Sequence, residues 1–191
     1  MDASFQRYKF TAVDVLRMVE TGLLSEDAPI ELIDGELCVM SPQGPPHRMT
    51  VVRVRRCLEA AFGAGFYVQD HSPVAAGPDS LPEPDIAVVR EPERFDAHPG
   101  PSEVVLVVEI SRTSQREDRA KAAVYAAAGF AEYWNLDLSA RRLVVYREPH
   151  PADREYGLVA IHRDGEDVPV ASTRVAVRAL LPPQDAEPAG A

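Results

Sequence analysis

Two apolar runs set the pattern of the chain. Ile86-Ala87-Val88-Val89 follows Pro84-Asp85, and Val104 to Val108 ends at Glu109. Short continuous apolar runs rich in β-branched residues read as strands buried on both faces. Paired as an antiparallel hairpin, they set Asp85 beside Glu109 and Val89 opposite Val105, with both carboxylates on one edge and one face. The period then changes. Ser114 and Glu117 form a capping box and Gly129 supplies a stop, which predicts a helix. Ala120, Ala123, Val124 and Ala127 make its apolar stripe, while Asp118, Lys121 and Tyr125 line a polar one.

The remaining pattern frames this centre. Thr11 caps a predicted helix through Val13, Val15, Leu16 and Val19, ending at Gly22. Asp34-Gly35 suits a two-residue turn between Ile30–Ile33 and Glu36–Met40, and that register sets Glu31 opposite Cys38 on the face of Ile33. Ser41 to Pro46 reads as a loop, and His47 to Phe62 as a helix with Val51, Val54, Leu58 and Ala61 inward. His47, near its start, reads as a capping or surface residue. Phe66 to Asp70 and a short run near Val74 are expected strands, followed by turns from Gly77 to Pro82. Glu91 to Ser102 is a polar connection. Ala131 to Asp137 is an expected strand with Trp134 as a core anchor, and Arg142–Tyr146 and Tyr156–Ile161 are expected outer strands before a turn at Asp164-Gly165. The small, proline-containing segment 182–191 reads as a frayed tail to a single domain, 1–181.

The carboxylates raise a chemical question. Either acid alone is an ordinary strand end, and Glu31 alone reads equally as a rim residue. Two acids apposed at the lip of apolar strands are costly without a cation, which suggests a divalent metal. No G-x-S-x-G elbow, H-E-x-x-H helix or phosphate-cradling glycine loop offers another chemistry; Gly63-Ala64-Gly65 lacks the third glycine and the preceding strand.

Glu31, Pro84-Asp85, Glu109 and a lysine on the next helix resemble the restriction-endonuclease-like superfamily with the PD-(D/E)XK signature. More narrowly, the chain resembles the Uma-two endonuclease group. The match runs through Glu31 to Leu37, Ser41-Pro42 with His47, Pro84-Asp85, Val108 to Ser111, Asp118 to Lys121, and Glu132 to Trp134, over roughly residues 8 to 182. Ser111 stands where the short signature has lysine, and Lys121 matches the group's displaced lysine. The resemblance implies an α/β sandwich with a mixed central β-sheet flanked by helices. It also implies Mg²⁺ or Mn²⁺ held by Asp85, Glu109 and the Ile110 carbonyl, with Lys121 and Glu31 as further catalytic groups and DNA as substrate.

Composition qualifies this picture. A net charge of -10 opposes general nucleic-acid binding. Local clusters offset it: Arg48, Arg53, Arg55 and Arg56, then Arg112, Arg116, Arg119 and Lys121. A basic rim of that kind implies weak, salt-sensitive binding. Cys38 and Cys57 suit a reduced cytoplasm as packed thiols, scattered histidines offer no zinc pattern, and no apolar run reaches membrane-spanning length. A non-catalytic scaffold that keeps a nuclease fold is the alternative. DNA versus RNA and monomer versus homodimer remain open at this level.

Overall fold

The computed structural model describes residues 6–91, 96–112 and 115–183, with the side chains of 115–118 excepted. The elements run α1 (Ala12–Glu20), β1 (Ile30–Ile33), β2 (Glu36–Val39), α2 (Pro45–Phe62), β3 (Phe66–Asp70), β4 (Ile86–Arg90) and β5 (Val104–Ser111). Then come α3 (Gln115–Ala128), β6 (Glu132–Asp137), β7 (Arg142–His150), β8 (Glu155–Arg163), β9 (Asp167–Val170), β10 (Thr173–Ala176) and α4 (Val177–Leu180).

A six-stranded mixed sheet ordered β3-β4-β5-β6-β7-β8 forms the centre, with helices on its faces, as the pattern implied. Neighbours are antiparallel except β5 and β6, which are parallel and joined through α3. Alternation assigns the faces. Val88, Leu106 and Val108 pack with Val51, Val54 and Leu58 of α2 and with Leu180 of α4. Ala87, Val89 and Val107 pack instead with Val124 and Tyr125 of α3 and with Phe130. Helices α2 and α3 therefore cover opposite faces of the sheet.

The β1–β2 hairpin has the expected register, with Glu31 opposite Cys38. Asp34 and Gly35 both take positive φ, 48° and 77°, as a tight two-residue turn requires. Thr11 and Asp14 complete a capping box on α1.

Several expectations are corrected. Ile86 pairs with Val108 as predicted, which brings Asp85 alongside Glu109, but a bulge between Val88 and Val89 sets Val89 opposite Val104 rather than Val105. The run near Val74 is not a strand; Val74 is buried, and its amide bonds to the Pro82 carbonyl. Helix α2 begins at Pro45, not His47, because prolines fit the first helical positions, where no amide donor is needed. Within α1, Val13 is 61% exposed and only Val15 is buried, so the apolar side is narrower than read. Strand β7 continues to His150, and β9, β10 and α4 form an unforeseen cover over the α2 face. Both halves of the predicted capping box, Ser114 and the Glu117 side chain, and the tail beyond residue 183 lie outside the described residues. No helix among the described residues is long and apolar enough to cross a membrane.

Candidate active site

The start of β4, the end of β5 and the faces of α2 and α3 converge on three buried acids. Glu31, Asp85 and Glu109 are 8%, 4% and 8% exposed. Each is costly to bury ionised unless its lone pairs are met, so their partners define the site.

Asp85 is held by donors from three segments. Oδ1 accepts a hydrogen bond from Gln43 Nε2 at 2.9 Å, and Oδ2 accepts one from the Ile110 amide at 2.7 Å. His47 Nε2 lies 3.0 Å from Oδ2, and His71 Nδ1 lies 3.8 Å from Oδ1. His47 therefore faces inward, correcting its reading as a surface residue, and is buried in the N-terminal turn of α2. Burial lowers its pKa, but the bond to Asp85 and the charges of Asp85 and Glu109 outweigh that and leave it raised. Its Nδ1 is buried without a hydrogen-bond partner among the described residues.

Glu109 takes its partners from α3. Lys121 Nζ donates to Oε1 at 3.0 Å and the Tyr125 hydroxyl donates to the same oxygen at 2.7 Å. Lysine and tyrosine lie four residues apart on one helical face, which is why both reach one carboxylate. The ammonium also lies 3.1 Å from Glu31 Oε2, which accepts the Glu83 amide at 3.3 Å. The structure thus brings together Glu31, Glu109 and Lys121, and sets Asp85 next to them in a separate clamp. Lys121 pairs with Glu109 and Glu31 rather than with Asp85.

Electrostatics follow from two acids on one lysine, with the Asp85 charge beside Glu109. Glu109 is raised to about 7, by burial above all and by the Asp85 charge, against the lowering pull of Lys121 and of the bond from Tyr125. Burial disfavours charge on Lys121, but Glu109 and Glu31 more than offset this and hold its pKa above the usual value. Tyr125 is raised by burial and by the Glu109 charge, so it stays a hydroxyl donor.

The donor set suits a hard divalent cation. Both bonds to Glu109 fall on Oε1, leaving Oε2 without a hydrogen bond among the described residues. Asp85 carries three short hydrogen bonds, fewer than its roughly four lone-pair sites. Among the described residues no three His, Cys, Asp or Glu side chains are grouped so as to hold a metal ion by themselves, so any ion would rest on two carboxylates. Mg²⁺ is typically held by one or two carboxylates, with waters and substrate phosphate completing its shell.

Gln43, His47, His71 and Tyr125 were not assigned to the site from sequence. One signal was available: His47, Thr50, Val51, Val54 and Leu58 fall on the same helical stripe, so a histidine there belongs inside. Nothing local marks Gln43 or His71, which reach Asp85 only through the fold. Of the predicted basic rim, Arg55 is committed to Glu59 at 2.9 Å and Asp70 at 2.6 Å, while Arg48, Arg56, Arg112 and Arg119 are exposed. The side chain of Arg116 lies outside the described residues.

A crystal structure titled as "a putative nuclease belonging to DUF820", from Anabaena variabilis, superposes with a TM-score of 0.70. It shares 19% identity over 90% of this chain and 97% of that one, which shows the common fold. No curated protein matches the chain. A family model described as "Uma2: Putative restriction endonuclease" matches residues 14–179. Since that match spans most of the 191 residues, the chain belongs to the Uma2 family.

Proposed function

We propose that the chain is a divalent-metal-dependent nuclease that hydrolyses phosphodiester bonds in DNA. One observation carries the reading: a lysine bridging Glu109 and Glu31 beside the clamped Asp85, three buried acids to one ammonium. Family membership and the shared fold support it.

Asp85, Glu109 through Oε2, and the Ile110 carbonyl would hold Mg²⁺ or Mn²⁺. When bound, the ion supplies polarisation of the scissile phosphate and activation of a water for attack. The chain's own groups do the rest. Gln43, His47 and the Ile110 amide fix the direction of Asp85, since three donors on one carboxylate remove its rotational freedom. Tyr125 and Lys121 do the same for Glu109 through Oε1. Lys121 also places a fixed positive charge where charge grows on the phosphate. Glu31 anchors that ammonium from the other side.

The test is incubation of purified protein with plasmid and single-stranded DNA in Mg²⁺ or Mn²⁺, against EDTA and against Asp85→Ala. Cleavage that needs both the ion and Asp85 supports the reading. An intact substrate throughout would leave a nuclease-fold scaffold in its place.

A further inference from the structure

Beside the acids lies a cleft of about 830 Å³, within the range of small-molecule sites. Val15, Leu16 and Val19 of α1 form one wall, and Met40 and Leu81 contribute to the rest. Gln43 and His71 line it and also reach Asp85, at 2.9 and 3.8 Å. Glu83 lines it too, and its amide bonds to Glu31. The cleft therefore abuts the candidate active site through two of its three acids.

Charge decides what can enter. Arg48 is the one arginine or lysine in the lining, against Glu26, Asp27 and Glu83. Burial lowers the pKa of the lining His98, which favours its neutral form. A surface with no positive excess cannot track phosphates. What it offers instead is aliphatic wall for a flat ring and the donors and acceptors of Gln43, His71, Glu83 and His98 for its polar edge. That is the chemistry of a nucleobase. The phosphate belongs next door, at Lys121.

We infer that the cleft receives the unpaired base of the nucleotide next to the cleaved phosphate, so that the substrate is single-stranded, bulged or frayed nucleic acid rather than continuous duplex. This rests on the nuclease reading. In a duplex the base is stacked and paired and must be unstacked before it can enter, so a strand already open is favoured. The net charge of -10 points the same way, because a long duplex would lay many phosphates against an acidic surface.

The test compares one labelled sequence as single strand, blunt duplex and duplex with a one-nucleotide bulge, cleaved in Mn²⁺. The single strand and the bulge should be cut at least about tenfold faster in kcat/KM than the duplex. Leu16→Trp adds bulk at a cleft residue already 38% exposed, so the core is spared. It should raise KM for the single strand about tenfold while the melting temperature stays unchanged. Equal or faster cutting of the blunt duplex, or an unaltered KM in Leu16→Trp, overturns the inference while leaving the nuclease reading intact. If wild type cuts nothing, the nuclease reading fails. Fluorescence anisotropy of the same oligonucleotides in Ca²⁺ then decides for the cleft: tighter binding of the single strand, lost in Leu16→Trp, supports it, and equal binding overturns it.

Discussion

Glu109→Gln separates the electrostatic cost of the site from its packing. The carboxyl sits at about 7 in the folded protein against 4.5 for an exposed glutamate. Between those values the folded chain holds a proton that the unfolded chain has lost, so stability falls as pH rises through this window. The displacement corresponds to roughly 3 kcal/mol, and little of it is screened because Glu109 is 8% exposed. Two neighbours act with the same sign. His47 is raised, so the stability it adds is present below about pH 6.5 and lost above. Glu83 is raised by burial and likewise favours the folded state less as pH climbs. The wild-type slope is therefore a sum, and only its difference from Glu109→Gln reports Glu109. Glutamine keeps the shape and can still accept from Lys121 and Tyr125. Urea titrations in EDTA at about pH 5.5 and about pH 8 provide the measurement, with a constant m-value as the two-state check. Wild type should lose roughly 2 kcal/mol more than the variant across that interval, because the loss accrues only from about pH 5.5 up to about 7. Parallel slopes would show that Glu109 is not the strained acid described here.

Other substitutions probe the remaining groups. Lys121→Met leaves Glu31 and Glu109 buried without their cation and should destabilise the metal-free protein by about 3–5 kcal/mol in chemical denaturation, with Mn²⁺ restoring part of the loss. His47→Ala removes one of three short bonds to Asp85 and should weaken Mn²⁺ binding about 10–100-fold by calorimetry. Arg119→Ala should flatten the log-affinity versus log-salt slope for DNA by about one unit; an unchanged slope would remove it from the phosphate-contacting rim.

What the sequence made legible is the part written in local pattern. Strands β4 and β5 are built on continuous apolar runs rich in β-branched residues, so their pairing, and with it the meeting of Asp85 and Glu109, follows from strand geometry. Lys121 follows from helical spacing, since the same stripe carries Tyr125, although the shared oxygen of Glu109 could not be foreseen. The clamp on Asp85 was hidden because its donors come from positions 43, 47 and 110, with His71 3.8 Å away, brought together only by tertiary packing. Val74 misled for a related reason: a buried valine in an irregular segment has the composition of a strand, but its amide bonds to Pro82 instead of a ladder. The bulge at Val88 and Val89 leaves no trace in a run of similar apolar residues.

The central claim is that Asp85 and Glu109 act together on one ion, and calorimetric titration of Mn²⁺ into the purified chain tests it most directly. Wild type should bind one ion per chain, releasing protons near pH 7 as Glu109 ionises, while Asp85→Ala and Glu109→Ala each abolish the heat signal. No binding by wild type, or undiminished binding by both variants, would contradict the account.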